Sequence, residues 1–166
     1  MELERINNKI QGLEKALEIT KTWKNEGRKL VFTNGCFDII HRGHIDYLSK
    51  AKGLGDKLII GLNSDISVRG LKGKTRPIQD EDSRATILAA FQFVDLVVLF
   101  DEDTPYNLIK AIIPNILVKG SDYKPEDIAG YDVLQATGGK VLTLDFLEGY
   151  STSNIENKIL KDYKSQ

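Results

Sequence analysis

Five short apolar runs punctuate the chain: Leu30-Val31-Phe32-Thr33, Leu58-Ile59-Ile60-Gly61-Leu62, Leu96-Val97-Val98-Leu99-Phe100, Ile116-Leu117-Val118 and Val141-Leu142-Thr143-Leu144. A strand with one wet face would alternate apolar and polar residues. These do not alternate, so each must be covered on both faces, which is the signature of a parallel sheet between layers of helix. The intervening segments supply the helices. Helical spacing runs from near Gly43 to about Lys52, from Asp82 to Phe93, from Pro105 to Ile112, from about Tyr131 to Thr137 and from Thr152 to about Tyr163. The expected fold is α/β: a doubly wound, mainly parallel five-stranded sheet in a single domain, with an N-terminal helix ahead of it. In such sheets ligands sit outside the carboxyl ends of the strands, where the strand order reverses.

Residues 1–27 read as that amphipathic helix and 28–166 as the sheet domain. Leu3, Ile6, Ile10, Leu13 and Leu17 form one stripe of a helix reaching about Trp23, and Asn25-Glu26-Gly27 stops it. The stripe must be covered, either by the chain's own core or by a second copy in a homodimer. Gly70 to Pro77 is expected to be the most mobile segment. No repeat, low-complexity tract or linker interrupts the pattern.

Composition narrows the function classes. A length of 166 residues suits one domain and leaves no room for a second catalytic module. With 41% hydrophobic and 28% charged residues the chain can bury an ordinary core, so disorder is excluded. A net charge of -1 gives no global basic field for nucleic acid or an anionic membrane, so any anion must be captured locally. The single Cys36 excludes an internal disulfide framework. No apolar run approaches the roughly 20 residues that span a bilayer, and the start lacks a signal-peptide core, so a cytoplasmic location is expected.

Both histidines of the chain fall in His41-Arg42-Gly43-His44, just past the first strand. A helix starting there points unpaired N–H groups and its positive dipole end outward, a ready anion site. Gly43 and Gly35 let a phosphate approach the main chain, and two imidazoles can donate to its oxygens. Two other readings stay open: histidines that only cap and pack, and a zinc site built from Cys36, Asp38, His41 and His44. The zinc reading lacks a second Cys or a further His to close a four-ligand shell; no metal ligand is assigned.

Gly35-Cys36-Phe37-Asp38-Ile39-Ile40-His41-Arg42-Gly43-His44 resembles the G-x-F-D-x-x-H-x-G-H signature of the cytidylyltransferase-like nucleotidyltransferases. Further blocks narrow the likeness. Val31-Phe32-Thr33-Asn34, Asn63-Ser64-Asp65, Leu71-Lys72-Gly73 with Arg76-Pro77, Val118 to Glu126, and Gly149-Tyr150-Ser151-Thr152-Ser153-Asn154-Ile155 are similar to the D-glycero-β-D-manno-heptose 1-phosphate adenylyltransferases, or ADP-heptose synthases. The likeness runs from about Lys9 to Leu160. It implies a Rossmann-like nucleotidyltransferase domain in which the phosphate of a sugar 1-phosphate attacks the α-phosphorus of ATP. Pyrophosphate leaves and an ADP-sugar remains, on the way to lipopolysaccharide or another glycan. Mg²⁺ would arrive with the ATP, and a separate sugar kinase would supply the acceptor.

By the same resemblance His41, His44 and Lys72 are catalytic, acting on charge that builds on the phosphates. Asn34, Gly35, Cys36, Phe37, Gly43, Asn63, Asp65, Gly120, Asp122, Tyr150, Ser151, Thr152 and Ser153 join His44 and Lys72 in holding the nucleotide. Asp38, Arg76 and Lys119 face the sugar phosphate. Bland readings stand beside these: a solvated basic loop for residues 69–77, with Arg69 and Lys74 as surface charges, and helix caps for Ser64-Asp65 and Ser151-Thr152-Ser153. Lys119 would otherwise snorkel to solvent, Asp38 make an ordinary structural hydrogen bond, and Gly120 and Asp122 form only a turn. Arg84 either pairs with a carboxylate or faces the nucleotide. Three other functions compete: a CTP-dependent enzyme acting on glycerol 3-phosphate or a related alcohol phosphate, a nucleotide-binding module without catalysis, and a zinc-bound structural module.

Overall fold

The computed structural model describes residues 1–164. Strands β1 (Leu30–Gly35), β2 (Lys57–Asn63), β3 (Leu96–Phe100), β4 (Ile116–Gly120) and β5 (Lys140–Leu144) form one sheet in the order β3-β2-β1-β4-β5, every neighbouring pair parallel. The expected Rossmann-like α/β architecture is therefore what the chain adopts. Helices α1 (Glu2–Asn7), α2 (Leu13–Asn25), α3 (Arg42–Lys52), α4 (Asp65–Lys72), α5 (Glu81–Ala90), α6 (Tyr106–Ile112), α7 (Tyr131–Thr137) and α8 (Thr152–Lys164) flank it. Alternate strand residues feed two cores. Val31, Leu58, Ile60, Val97 and Val118 pack on one face, while Leu30, Phe32, Ile59, Val98 and Leu117 pack on the other. Each such fully buried side chain contributes about 1.5–3 kcal/mol of hydrophobic stabilisation.

The N-terminal segment departs from the expected single helix. It is broken at residues 8–12, where Ile10 bridges Val97: Val97 N–H donates to Lys9 O (2.8 Å) and Gln11 N–H to Val97 O (3.0 Å). The main chain of residues 9–11 is thus spent on covering the open edge of β3, a use that helical hydrogen bonding cannot share. Gly12 then caps α2. Ile6 and Ile10 pack partly buried against one core, and Ala16, Leu17 and Trp23 join the other, while Leu3 and Leu13 of the stripe stay exposed.

Two other expectations shift. The helix expected from Asp82 to Phe93 ends at Ala90, because Phe91 turns to extended backbone (ψ 127°) and its ring stacks on Phe93 at 5.5 Å. Helix α4 was foreshadowed only by the reading of Ser64-Asp65 as a helix cap, which the structure bears out. It runs through Gly70 as far as Lys72, with Ser64 as its cap, so the Gly70–Pro77 segment is loop only from Gly73 onward.

The pairing pattern opens the sheet at one place. β1 and β2 stay in register from Leu30–Lys57 to Gly35–Leu62, and β4 and β5 from Ile116–Lys140 to Gly120–Leu144. Between β1 and β4 the register covers only Val31–Ile116 and Phe32–Leu117. Beyond Phe32 and Leu117 these two central strands part, which leaves a crevice at their carboxyl ends where the strand order reverses.

Candidate active site

The crevice receives the residues that follow β1. Past Gly35 the chain turns through Phe37, whose φ of 46° puts a bulky residue in the left-handed region, and enters α3 with His41 as its cap residue. The helix thus begins at Arg42, one residue earlier than its spacing suggests. No side chain caps it; His44 N–H donates to His41 O at 2.9 Å. The two imidazoles stack at 3.9 Å between centroids, and Phe37 meets His44 edge-on at 5.3 Å. Gly43 is tightly enclosed here: a Cβ would stand 3.0 Å from the His41 ring and 3.1 Å from Tyr150 Cβ, so these neighbours would have to yield by a few tenths of an ångström.

The Nδ1 atoms of His41 and His44 and Oδ1 of Asn34 are buried, and none has a hydrogen-bond partner among the described residues. Burying such a group unpaired costs about 1–3 kcal/mol, so their clustering at one helix start marks a place built to bind. Burial first, then the nearby His41 and Lys72, push the His44 imidazole down to about 4, and burial lowers His41 as well. Both rings are therefore neutral at pH 7, and a polyanion placed against them would reverse the trend.

Two adjoining cavities make up the site. The first, about 300 Å³, is lined by Asn34, Gly35, Cys36, Phe37, Asp38, His44, Tyr47, Lys72, Lys119, Gly120, Asp122, Tyr123, Phe146 and Thr152. The second, about 280 Å³, is lined by His41, Gly43, His44, Phe146, Tyr150, Ser151 and Thr152. They share His44, Phe146 and Thr152. Lys119 projects from the end of β4, its Nζ 5.4 Å from the Tyr123 ring centre, and burial lowers its pKa, partly offset by Asp122. Burial likewise raises the Cys36 thiol, against the pull of Lys72 and Arg84, which keeps it protonated. Ser151 caps α8 by accepting from Asn154 N–H (3.1 Å), so the α8 start opens on the same cavity as the α3 start.

Four of the expected site residues lie outside both linings. Asn63 is buried and donates to Ser67 Oγ (2.9 Å). Asp65 accepts from Arg84 (2.8 Å), and Ser153 is exposed on α8. Arg76 is turned away: its guanidinium donates to Asp38 (3.0 Å) and pairs with Glu156 of α8. Asp38 lines the first cavity, yet its carboxylate is spent on Arg76 and on the N–H groups of Ile78 (2.8 Å) and Gln79 (3.0 Å). Burial would raise its pKa, but these donors together hold it below the ordinary carboxylate value. A zinc quartet with Cys36, His41 and His44 does not converge, and no group of His, Cys, Asp or Glu fit to hold a metal occurs among the described residues.

Arg84 resolves toward structure. It is fully buried and donates to the carbonyls of Gln79 (3.1 Å), Cys36 (2.7 Å) and Asn63 (2.8 Å) and to Asp65 (2.8 Å), tying the ends of β1 and β2 together. Tyr47 and Phe146 are the lining residues that sequence reasoning missed. Tyr47 stands one turn after His44 on α3, a spacing that could have flagged it. Its hydroxyl pairs with Thr33 Oγ1 (2.9 Å), and burial drives its pKa up to about 12.

The chain is 54% identical over 155 residues to the bifunctional protein HldE of Geobacter metallireducens, covering 93% of this chain and 32% of that protein. Against the bifunctional protein HldE of Trichlorobacter lovleyi the identity is 50% over 160 residues, 96% of this chain and 33% of the relative. The chain thus spans about a third of the length of these curated relatives. Among solved structures, the lipopolysaccharide core biosynthesis protein from Thermoplasma volcanium aligns with a TM-score of 0.58 at 29% identity, over 75% of this chain and 99% of that one. Pantoate-beta-alanine ligase from Francisella tularensis, crystallised with beta-gamma ATP and beta-alanine, aligns with a TM-score of 0.61 over 92% of this chain and 77% of its own. At 17% identity that likeness speaks for the fold alone. Residues 32–158, which include the strand ends, both histidines and the start of α8, match the cytidylyltransferase-like family, and the chain belongs to it.

Proposed function

We propose that the chain transfers AMP from ATP to D-glycero-β-D-manno-heptose 1-phosphate, releasing pyrophosphate and leaving ADP-heptose. The observation that carries this reading is the convergence of two helix starts, two imidazoles whose Nδ1 atoms lack hydrogen-bond partners, and Lys72 and Lys119 on one crevice. The close identity to HldE proteins and the likeness to a lipopolysaccharide core biosynthesis protein support the heptose acceptor.

The chemistry asks little of the protein beyond placement. An acceptor phosphate oxygen attacks the α-phosphorus in line, the bond to the β-phosphate oxygen breaks, and its electron pair leaves with pyrophosphate. No protein nucleophile is needed. His44 and His41 donate to oxygens on which charge accumulates, the bare α3 start at Gly43 receives the α-phosphate, and the α8 start receives the leaving phosphates. Lys72 and Lys119, which both line the first cavity, neutralise the two polyanions. Few carboxylates line the crevice, which fits Mg²⁺ carried on phosphate oxygens; when bound, it would neutralise charge on the leaving group. Supply of the acceptor requires a kinase acting on the heptose.

Pyrophosphate release with ATP or CTP, each against the heptose 1-phosphate and glycerol 3-phosphate, tests the assignment. Turnover is expected with ATP and the heptose 1-phosphate, and His44→Ala should lower kcat by about 10²–10³ while leaving the fold intact. Turnover confined to CTP and glycerol 3-phosphate would replace the assignment. Release with no pair would favour a binding module.

A further inference from the structure

Phe146 lies between the two cavities and belongs to neither hydrophobic core. It sits in the irregular segment between β5 and α8, 52% exposed, with its ring 5.5 Å from that of Tyr47. The tip of the ring reaches the space over Gly120 at the end of β4 that a side chain there would need. A Cβ on Gly120 would stand 2.2 Å from Phe146 Cζ, 2.3 Å from Cε2 and 2.6 Å from Asp122 Oδ1. A large aromatic ring that is half in water, with its tip over a glycine, gains little stability from that position. Displaced outward, it would open a slot between the Gly120 peptide and an aromatic ring.

We propose that Phe146 is a specificity-determining residue that stacks on the nucleobase, with the Gly120 main chain as the opposite wall of the slot. The proposal rests on the nucleotide reading above and adds to it a residue and a geometry. With 52% of its surface exposed, Phe146 has solvent on one side to move into. Moving it by the thickness of one aromatic ring admits a planar group and joins the two cavities into one cleft. A flat base fits this slot better than a puckered, hydroxyl-rich sugar, since aromatic faces favour a π surface. The surroundings agree. Tyr47 and Tyr123 add aromatic surface, and Asp122 at the slot's edge can accept a hydrogen bond from an exocyclic amino group. Among the phosphate-type donors, His41 and Ser151 line only the second cavity, while His44 and Thr152 line both.

The test is titration calorimetry on the full chain with two probes, ATP and inorganic tripolyphosphate, both with Mg²⁺. Phe146→Ala and Phe146→Leu should weaken ATP about 5- to 100-fold and leave tripolyphosphate within about twofold, while Phe146→Trp keeps ATP binding. Gly120→Ala, whose new methyl fills the slot and expels the ring, should follow the ATP loss. If either Phe146→Ala or Phe146→Leu binds ATP as the wild type does, or loses both probes equally, the proposal is overturned. The Leu variant, which keeps apolar bulk without a flat face, decides should the Ala variant fail to fold. A wild-type chain that binds neither probe overturns the nucleotide reading itself, whereas one that binds both as the Phe146 variants do removes only the stacking role.

Discussion

Replacing Arg84 offers the sharpest check on how the signature turn is held. Arg84→Met keeps much of the side chain's length but deletes the guanidinium, leaving three carbonyls, of Cys36, Asn63 and Gln79, without their donors and Asp65 without its partner. Breaking a buried pair from one side costs about 3–5 kcal/mol, since the remaining charge and acceptors stay desolvated. The Asp65 side chain is 20% exposed and can recover some hydration, which places the expected loss toward the lower end of that range. For a domain of this size each kcal/mol moves Tm by about 2–4 °C, so a drop of roughly 6–12 °C is expected. Urea denaturation followed by circular dichroism, with calorimetry alongside, measures both quantities. The mechanism also predicts a partner effect: adding Asp65→Asn to Arg84→Met should recover part of the loss, because it removes the orphaned charge. A single variant within about 1 kcal/mol of wild type would refute the argument that this knot holds the ends of β1 and β2 in place.

Protonation of the histidine pair supplies a second expectation. In the unfolded chain His44 takes a proton near the ordinary 6.5, while the folded chain refuses it until about 4, so stability is fully present above 6.5 and falls as pH drops through that window. The loss is on the order of 2–3 kcal/mol, and His44→Gln should flatten the slope of unfolding free energy against pH between 7 and 4.5. A third concerns the brace between α8 and residues 76–79. Glu156→Gln removes one arm of the Arg76 pair and should cost about 1 kcal/mol in a thermal melt while raising the KM for ATP, because α8 carries Thr152 into the site; unchanged kinetics would detach that helix from the brace.

The first four runs were legible because β1 to β4 are mostly dry on both faces, a demand that leaves no room for polar alternation at Leu58–Leu62 or Leu96–Phe100, whereas β5 at the sheet edge is only half-buried. The same clarity located the histidines beside a helix start at a strand end. What escaped the sequence was set by contacts between distant segments. The stripe from Leu3 to Leu17 keeps helical spacing across Gln11-Gly12, and only the open edge of β3 explains why residues 9–11 leave the helix. Helix α4 hid behind Gly70 and a basic composition that also suits a loop. Arg76 reads as a phosphate ligand until Asp38 and Glu156 are seen to claim it. Phe146 carried no mark at all, since nothing in its neighbourhood along the chain reveals that Gly120 lies beneath it.

The parting of β1 from β4 after Phe32 and Leu117 is a property of strand order, not of the side chains that happen to line the gap. Substitution along the walls can therefore change which molecule is accepted while the address stays put. Divergence within such a lineage should be slow in where chemistry happens and quick in what it acts upon.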